Sequence, residues 1–350
     1  MNKLQNAIVA YTFDDFTLIP QYSTIKSRKD PDVSTMISEV KYEIPIIASP
    51  MNTICEEEML VTMGQLKGIG VIHRYMTIEQ QVAMCEAAIT RIAASGISVD
   101  PFQYVYAAIG ATGDYIERAQ ELFRLGVKNF CIDVANGHNI HSIEAVQQIK
   151  RLMPHSKVMS GNVCSYDGAG KLAESGADSI RVGVGGGAVC KTRLVTGHGI
   201  PQLTALEECS KLKYRFPNVA LISDGGIRYA GDIVKAIAIG ADAVMIGSLL
   251  AGTSETPGEF IEEDDRLYKY YNGMASTEGR EKWFDKSKVG LVPEGVSKKV
   301  PYLGRSAKHI IEGLCQSLKV GLSYSVRPLI FEKWMIPELN TPSPNDNAHE

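Results

Sequence analysis

Eight short apolar runs, separated by helix-patterned segments, constrain this chain more than any other feature. They read Pro45–Ala48, Gly70–His73, Val105–Ile109, Asn129–Asp133, Lys157–Gly161, Ser179–Val182, Ala220–Ser223 and Ala243–Ile246. Between them, segments such as Asp114 to Leu125, Ser142 to Met153 and Ala230 to Ile239 carry apolar residues at helical spacing. Buried strands alternating with helices argue for a parallel sheet, and eight repeats favour an α/β fold closed into a (β/α)8 TIM barrel. An open doubly wound sheet is the alternative, but no Gly-x-Gly-x-x-Gly opens a helix after the first run. The expected organisation is one barrel domain over residues 1–340 and a disordered tail over 341–350. Residues 252–301, polar and glycine-containing, exceed an ordinary loop and read as a long active-site flap after strand 8.

Composition narrows the partners. The chain has 350 residues, 45% hydrophobic and 22% charged, enough for one large core. A formal net charge of −4 supplies no global basic field for a polynucleotide. The N-terminus lacks a secretory apolar core and no apolar stretch is long enough to span a bilayer. A cytoplasmic protein with no nucleic-acid and no membrane partner is therefore expected. Seven cysteines, an odd set without a Cys-x-x-Cys pair, argue against a disulfide framework or structural zinc.

In a (β/α)8 barrel the reacting groups sit at the C-terminal ends of the strands. Ser49 and Met51 stand there after the first run, Asp133 and Asn136 at the fourth, Asn162 after the fifth and Cys190 after the sixth. Cys190 closes the glycine-dense loop Gly183-Val-Gly185-Gly-Gly-Ala-Val-Cys190, followed by Lys191, Thr192 and Arg193. A thiol beside two cations would have a depressed pKa and serve as a nucleophile at neutral pH. The alternative is a small buried hydrophobe, the commoner role of a free cysteine. Asp224-Gly225-Gly226 follows the seventh run and Gly247-Ser248 the eighth, the positions where barrels commonly build a phosphate site. Such glycines also simply terminate strands, and the residues alone leave both roles open. A nucleotide anchored there would reach across the barrel mouth toward Cys190, which suggests covalent chemistry on its base.

Several ordered motifs extend that reading. They are Asp14-Asp-Phe-Thr-Leu18, Ala48-Ser-Pro-Met51, Gly161-Asn-Val163, Cys190-Lys-Thr-Arg193, Thr196-Gly-His-Gly-Ile-Pro-Gln-Leu203, Ser223-Asp-Gly-Gly226 and Tyr271-Asn-Gly-Met274. Together, over roughly residues 11 to 325, the chain resembles the IMP dehydrogenase and GMP reductase family. The resemblance implies a barrel that binds a purine nucleoside monophosphate and a nicotinamide cofactor, assembles as a homotetramer, and forms a covalent adduct between Cys190 and purine C2. It implies that Thr192 and Glu294 act beside Cys190, and that Gly225, Gly226, Gly247, Ser248 and Tyr271 surround the phosphate. By the same resemblance, Asp224 holds the ribose, and Ser49, Met51, Gly273, Met274 and Glu294 lie about the rest of the nucleotide. Asp133, Asn136, Asn162 and Gly183 would line the cofactor side, and the carbonyls of Gly183, Gly185 and Cys190 would ring a monovalent cation, potassium.

The family contains two reactions. Dehydrogenases carry an Arg-Tyr pair on a mobile flap that helps activate water, whereas this chain reads Gly279-Arg-Glu-Lys282-Trp283-Phe284. Tryptophan has no hydroxyl and lysine lacks the planar fork of arginine. Ile132-Asp-Val-Ala-Asn-Gly137 and the short flap also favour GMP reductase, with NADPH as cofactor, as does the lack of a regulatory insert between His73 and Val105. Val71 to Glu79 and Val292 to Val296 look more like an IMP dehydrogenase, which would use NAD. Ala188 stands where a phosphate-contacting serine is usual, and Asn52 where an aspartate is usual. These departures leave a modified purine nucleotide open, and a non-catalytic nucleotide-binding barrel as the reading from another class.

Overall fold

In the computed structural model, which describes residue 7 and residues 9–96, 100–277, 292–324 and 335–336, every expected run forms a strand. These are β1 (Ile46–Ala48), β2 (Ile69–Ile72), β3 (Val105–Ile109), β4 (Asn129–Asp133), β5 (Lys157–Val163), β6 (Ser179–Val182), β7 (Ala220–Asp224) and β8 (Ala243–Ile246). Each pairs in parallel with the next, and β8 pairs with β1 to close the barrel. The strands are rich in valine, isoleucine and alanine because both faces are covered, one by the barrel interior and the other by helices. β1, β2, β3, β6 and β8 are buried along their whole lengths.

Helices follow the strands: α1 (Glu57–Gln65), α2 (Ile78–Ala94), α3 (Tyr115–Leu125), α4 (Ile140–Leu152), α5 (Tyr166–Glu174), α6 (Thr192–Thr196), α7 (Gln202–Ser210), α8 (Ala230–Ala238) and α9 (Ala307–Ser323). Local chemistry sets their ends. Thr77 and Gln80 form a reciprocal capping box at the start of α2, and Gly126 at φ 110° stops α3. At the opposite face from the site, two Gly-Ala-Asp sequences do the same work. Asp178 accepts from Val158 N and Lys150 Nζ, and Asp242 accepts from Leu221 N and Lys213 Nζ, so each carboxylate ties one strand start to a helix cation.

Two departures from the sequence reading bear on the site. β5 runs two residues beyond the expected end, and its register against β6 shifts between Gly161 and Val163, so Asn162 lies inside an irregular strand end. Within the segment expected as a long flap, the described residues 252–277 and 292–301 carry regular structure. They form an antiparallel sheet of β9 (Ile261–Glu263), β10 (Arg266–Asn272) and β11 (Ser297–Pro301). Asp264 and Asp265, at φ 50° and 58°, make the two-residue turn between β9 and β10, the geometry that suits strand twist in a tight hairpin. Lys282 and Trp283 lie outside the described residues, as does the expected tail.

Gln81 shows how the mouth of the barrel is held. This buried side chain donates from Nε2 to His73 O at 3.0 Å and Ala108 O at 2.9 Å, and accepts from Arg118 Nη1 at 3.0 Å. It therefore joins the chain leaving β2 to the end of β3. Gln81→Met keeps the volume but orphans three buried groups, and should lower unfolding stability by about 2–4 kcal/mol. Urea unfolding of the two proteins checks this; a loss below about 0.5 kcal/mol would show that Gln81 does not hold the mouth.

Candidate active site

Four adjacent strands place a charged cluster at the barrel mouth. Arg181 projects from β6 and is 5% exposed. Its Nη1 donates to Asp133 Oδ1 of β4 at 2.9 Å, and its Nε donates to Asp224 Oδ2 of β7 at 3.1 Å. Asn162 Nδ2 donates to the same Asp224 oxygen at 2.9 Å and to Gly183 O at 2.8 Å. Burial disfavours the guanidinium charge, but Cys131, Asp133 and Asp224 outweigh it and hold the arginine pKa well above its ordinary value. Burial pushes the Cys131 thiol up to about 11, so it packs against Arg181 as a neutral group. The carboxylates and Asn162 are thereby fixed in orientation before any ligand arrives.

The cysteine loop begins with backbone that only glycine adopts readily. Gly183 and Gly185 have φ of 140° and 87°. A Cβ on Gly183 would lie 2.2 Å from Asp224 O and 2.5 Å from Gln202 Oε1. The loop then runs against residues far along the chain: Lys191 N donates to Glu294 O at 2.6 Å, Val296 N to Val189 O at 3.0 Å, and Cys190 forms an isolated antiparallel bridge with Gly295. Glu294 N donates to Ala275 O, and Gly273 N to Val296 O. Asn52 N meets Met274 Sδ at 3.3 Å, and Asn272 N donates to Thr53 Oγ1. Backbone pairing thus assembles three segments around the half-buried Cys190, whose Sγ lies 3.1 Å from Thr192 Oγ1. Of the two flanking cations, one is engaged elsewhere. Arg193 Nε donates to Gly185 O, and Lys191 is exposed.

The glycines after β7 pack near this loop, and the glycine after β8 gathers three other side chains. Gly225 and Gly226 have φ of 92° and 79°, and Gly225 packs against the backbone of Gly186 and Gly187. Around Gly247, a Cβ would meet Met51 Sδ and Tyr271 Oη at 3.1 Å and Ser49 Oγ at 3.5 Å, so those three side chains converge there. Burial, then the nearby Asp224, pushes the Tyr271 phenol well above its usual range.

One cavity of about 1330 Å³ opens between these loops. Its lining includes every residue expected to bind nucleotide, cofactor or cation or to act at purine C2, except Asn136. That residue is exposed; its Oδ1 accepts from His138 N and its carbonyl from Asn139 Nδ2, so it shapes the turn into α4. The volume exceeds that of an ordinary single-ligand pocket and suits a nucleotide together with a second ligand. For a monovalent cation, the carbonyl of Gly183 accepts from the neutral Asn162 amide and keeps a second lone pair for a hard ion, whereas that of Gly185 already receives the Arg193 guanidinium. Among the described residues, no cluster of three histidine, cysteine or acidic side chains suits a metal, and no helix is long and apolar enough to cross a membrane.

A family model described as IMP dehydrogenase / GMP reductase domain matches residues 10–330. The chain belongs to that family. It is 36% identical to the inosine-5'-monophosphate dehydrogenase of Cryptosporidium parvum over 92% of this chain and 90% of that protein. It is 33% identical to the enzyme of the same name from Borreliella burgdorferi, over 90% of this chain and 89% of that one. Its fold matches a crystal structure of GMP reductase from Trypanosoma brucei, a cysteine-to-alanine variant in complex with guanosine 5'-monophosphate. That match has a TM-score of 0.84 at 27% identity, covering 93% of this chain and 94% of that one. The IMP dehydrogenase / GMP reductase family comprises purine nucleotide oxidoreductases that use NAD or NADP, and this chain is one of them.

Two lining residues, Arg181 and Arg74, and one supporting residue, Gln202, were missed in the sequence. Arg181 carried a signal, because an arginine inside an apolar strand run must find buried partners. Gln202 was quoted only within a motif, yet it is buried and donates to Val182 O and Ser223 Oγ beneath the glycine loop. Arg74 carried none beyond its place after β2, where it lines the cavity and lies over the Tyr75 ring. Removing the Arg181 charge isolates two partly buried carboxylates. Arg181→Met should cost about 3–5 kcal/mol in urea unfolding, and a neutral effect would mean the cluster does not hold the mouth together.

Proposed function

We propose that this protein is a GMP reductase, converting GMP to IMP and ammonia with NADPH through a bond between Cys190 Sγ and purine C2. The observation that carries the chemistry is the Cys190–Thr192 pair at 3.1 Å, on a loop spliced to Glu294 and open to the cavity. The direction of reaction rests on Lys282-Trp283 standing where a water-activating Arg-Tyr pair would be sought.

The Cys190 thiolate attacks C2 of GMP, and the C2–N bond breaks as the amine leaves, protonated, as ammonia. Thr192, within hydrogen-bond distance of the thiol, and Glu294, held beside it by backbone pairing, move the protons at that carbon. NADPH, when bound, supplies hydride to C2; the C2–S bond then breaks, giving IMP and free Cys190. Asp224 receives the ribose hydroxyls, while Gly225, Gly226, Gly247, Ser248, Ser49 and Tyr271 surround the phosphate, and Met51, Gly273 and Met274 the rest of the nucleotide. Asp133, Asn162 and Gly183 line the cofactor side. The proposal includes potassium on the carbonyls of Gly183, Gly185 and Cys190, a homotetramer, a cytoplasmic location, and one catalytic domain over residues 1–340.

IMP dehydrogenase is the second reading, favoured by the names of the two relatives and by the segments at Val71–Glu79 and Val292–Val296. Parallel assays in potassium buffer separate them. GMP with NADPH should release ammonia and consume NADPH. Formation of NADH and XMP from IMP and NAD, without the first reaction, would reverse the assignment. Cys190→Ala should lower either turnover by about 10³-fold or more. Purine binding without turnover in any combination would leave the non-catalytic barrel.

A further inference from the structure

Lys269 sits deep in the protein, 3% exposed, at the middle of β10. Its ammonium donates to the carbonyl oxygens of Thr256 at 2.5 Å, Thr253 at 3.2 Å and Ser254 at 3.4 Å, and lies 5.0 Å from the centre of the Phe260 ring. No carboxylate among the described residues lies within ion-pair distance of it; the nearby Glu255 instead accepts from Ala307 N and Ser254 Oγ. Burial pulls the lysine pKa below its ordinary value, so the three oxygens must compensate for lost water. Three N–H donors meet three carbonyls, the complement an ammonium requires.

The place of this cage gives it meaning. Along a strand, residues two apart share a face, and Lys269 and Tyr271 are the two buried positions of β10. The carbonyls belong to a series of tight turns that begins at Gly247, where Leu250 N and Ala251 N donate to Gly247 O, Thr253 N to Leu250 O, and Thr256 N to Thr253 O. One end of the cage is thus the Tyr271 strand, and the other is the turn that starts with Gly247 and Ser248.

We infer that Lys269 is a positioning residue for the phosphate end of the cavity: an internal ammonium ion whose carbonyl cage fixes Tyr271 against the Gly247-Ser248 turn. This rests on the reading above that those groups surround the nucleotide phosphate. It acts on binding rather than on the chemistry at Cys190.

The test compares full-length wild type, Lys269→Met and Lys269→Ala by calorimetric titration with GMP and IMP, alongside turnover. Lys269→Met should raise the nucleotide Kd and KM about 10-fold or more, while kcat changes less than about 3-fold. Methylammonium should partly restore affinity in Lys269→Ala, which has room for it, and not in Lys269→Met. Unchanged nucleotide affinity in Lys269→Met, or a fall in kcat alone, overturns the inference and leaves the functional reading standing. Wild-type protein that binds neither nucleotide overturns both. If the variants do not fold, hydrogen exchange on wild type decides: GMP should slow residues 247–256 and 266–272 together, and protection of one segment alone refutes the coupling.

Discussion

The guanidinium of Arg181, shared between Asp133 and Asp224, is the interaction on which the rest of the mouth depends. It sits where three strands end, and a charge so far from water persists only because both carboxylates and the Cys131 sulfur receive it. Asp224, once fixed, accepts from Asn162, and Asn162 also takes the carbonyl of Gly183, the first residue of the cysteine loop. One buried cation therefore sets the acid that ends β7, the amide of β5 and the take-off of the loop after β6. Replacing it would disturb all three at once, because they share partners and do not respond independently.

Above that cluster the site is made from backbone more than from side chains. Residues 189–191, 273–275 and 294–296 are held edge to edge by main-chain hydrogen bonds, so Cys190 lies in a seam between segments about a hundred positions apart. Glycines at 183, 225, 273 and 295 let the chains approach to distances where a Cβ would meet backbone at 2.2 to 3.2 Å. This explains why the region is glycine-dense without being loose. Main-chain pairing keeps Cys190 in position relative to Thr192 and Glu294 without depending on any flexible side chain.

Much of the fold was legible because parallel strands buried on both faces leave an unmistakable mark: all eight runs became barrel strands in chain order. The gathering of the expected residues was legible for a related reason, since barrels put such groups at strand ends; they line one cavity, apart from Asn136, whose amide accepts within a turn. What escaped notice was non-local. The β9–β11 sheet consists of short strands whose polar faces look like loop, and its register depends on partners thirty residues apart. Arg193 looked like a neighbour of the thiol in sequence, yet its side chain turns to Gly185. Side-chain direction of that kind follows from tertiary packing rather than from spacing.

The proposed chemistry turns on a bond between Cys190 and the purine. Mass spectrometry of the protein quenched in acid during turnover with GMP tests it most directly. The peptide containing Cys190 should gain the mass of GMP less ammonia, and Cys190→Ala should show no such gain. Turnover of GMP with an unmodified Cys190 at every quench time, or the same adduct on another cysteine, would contradict it.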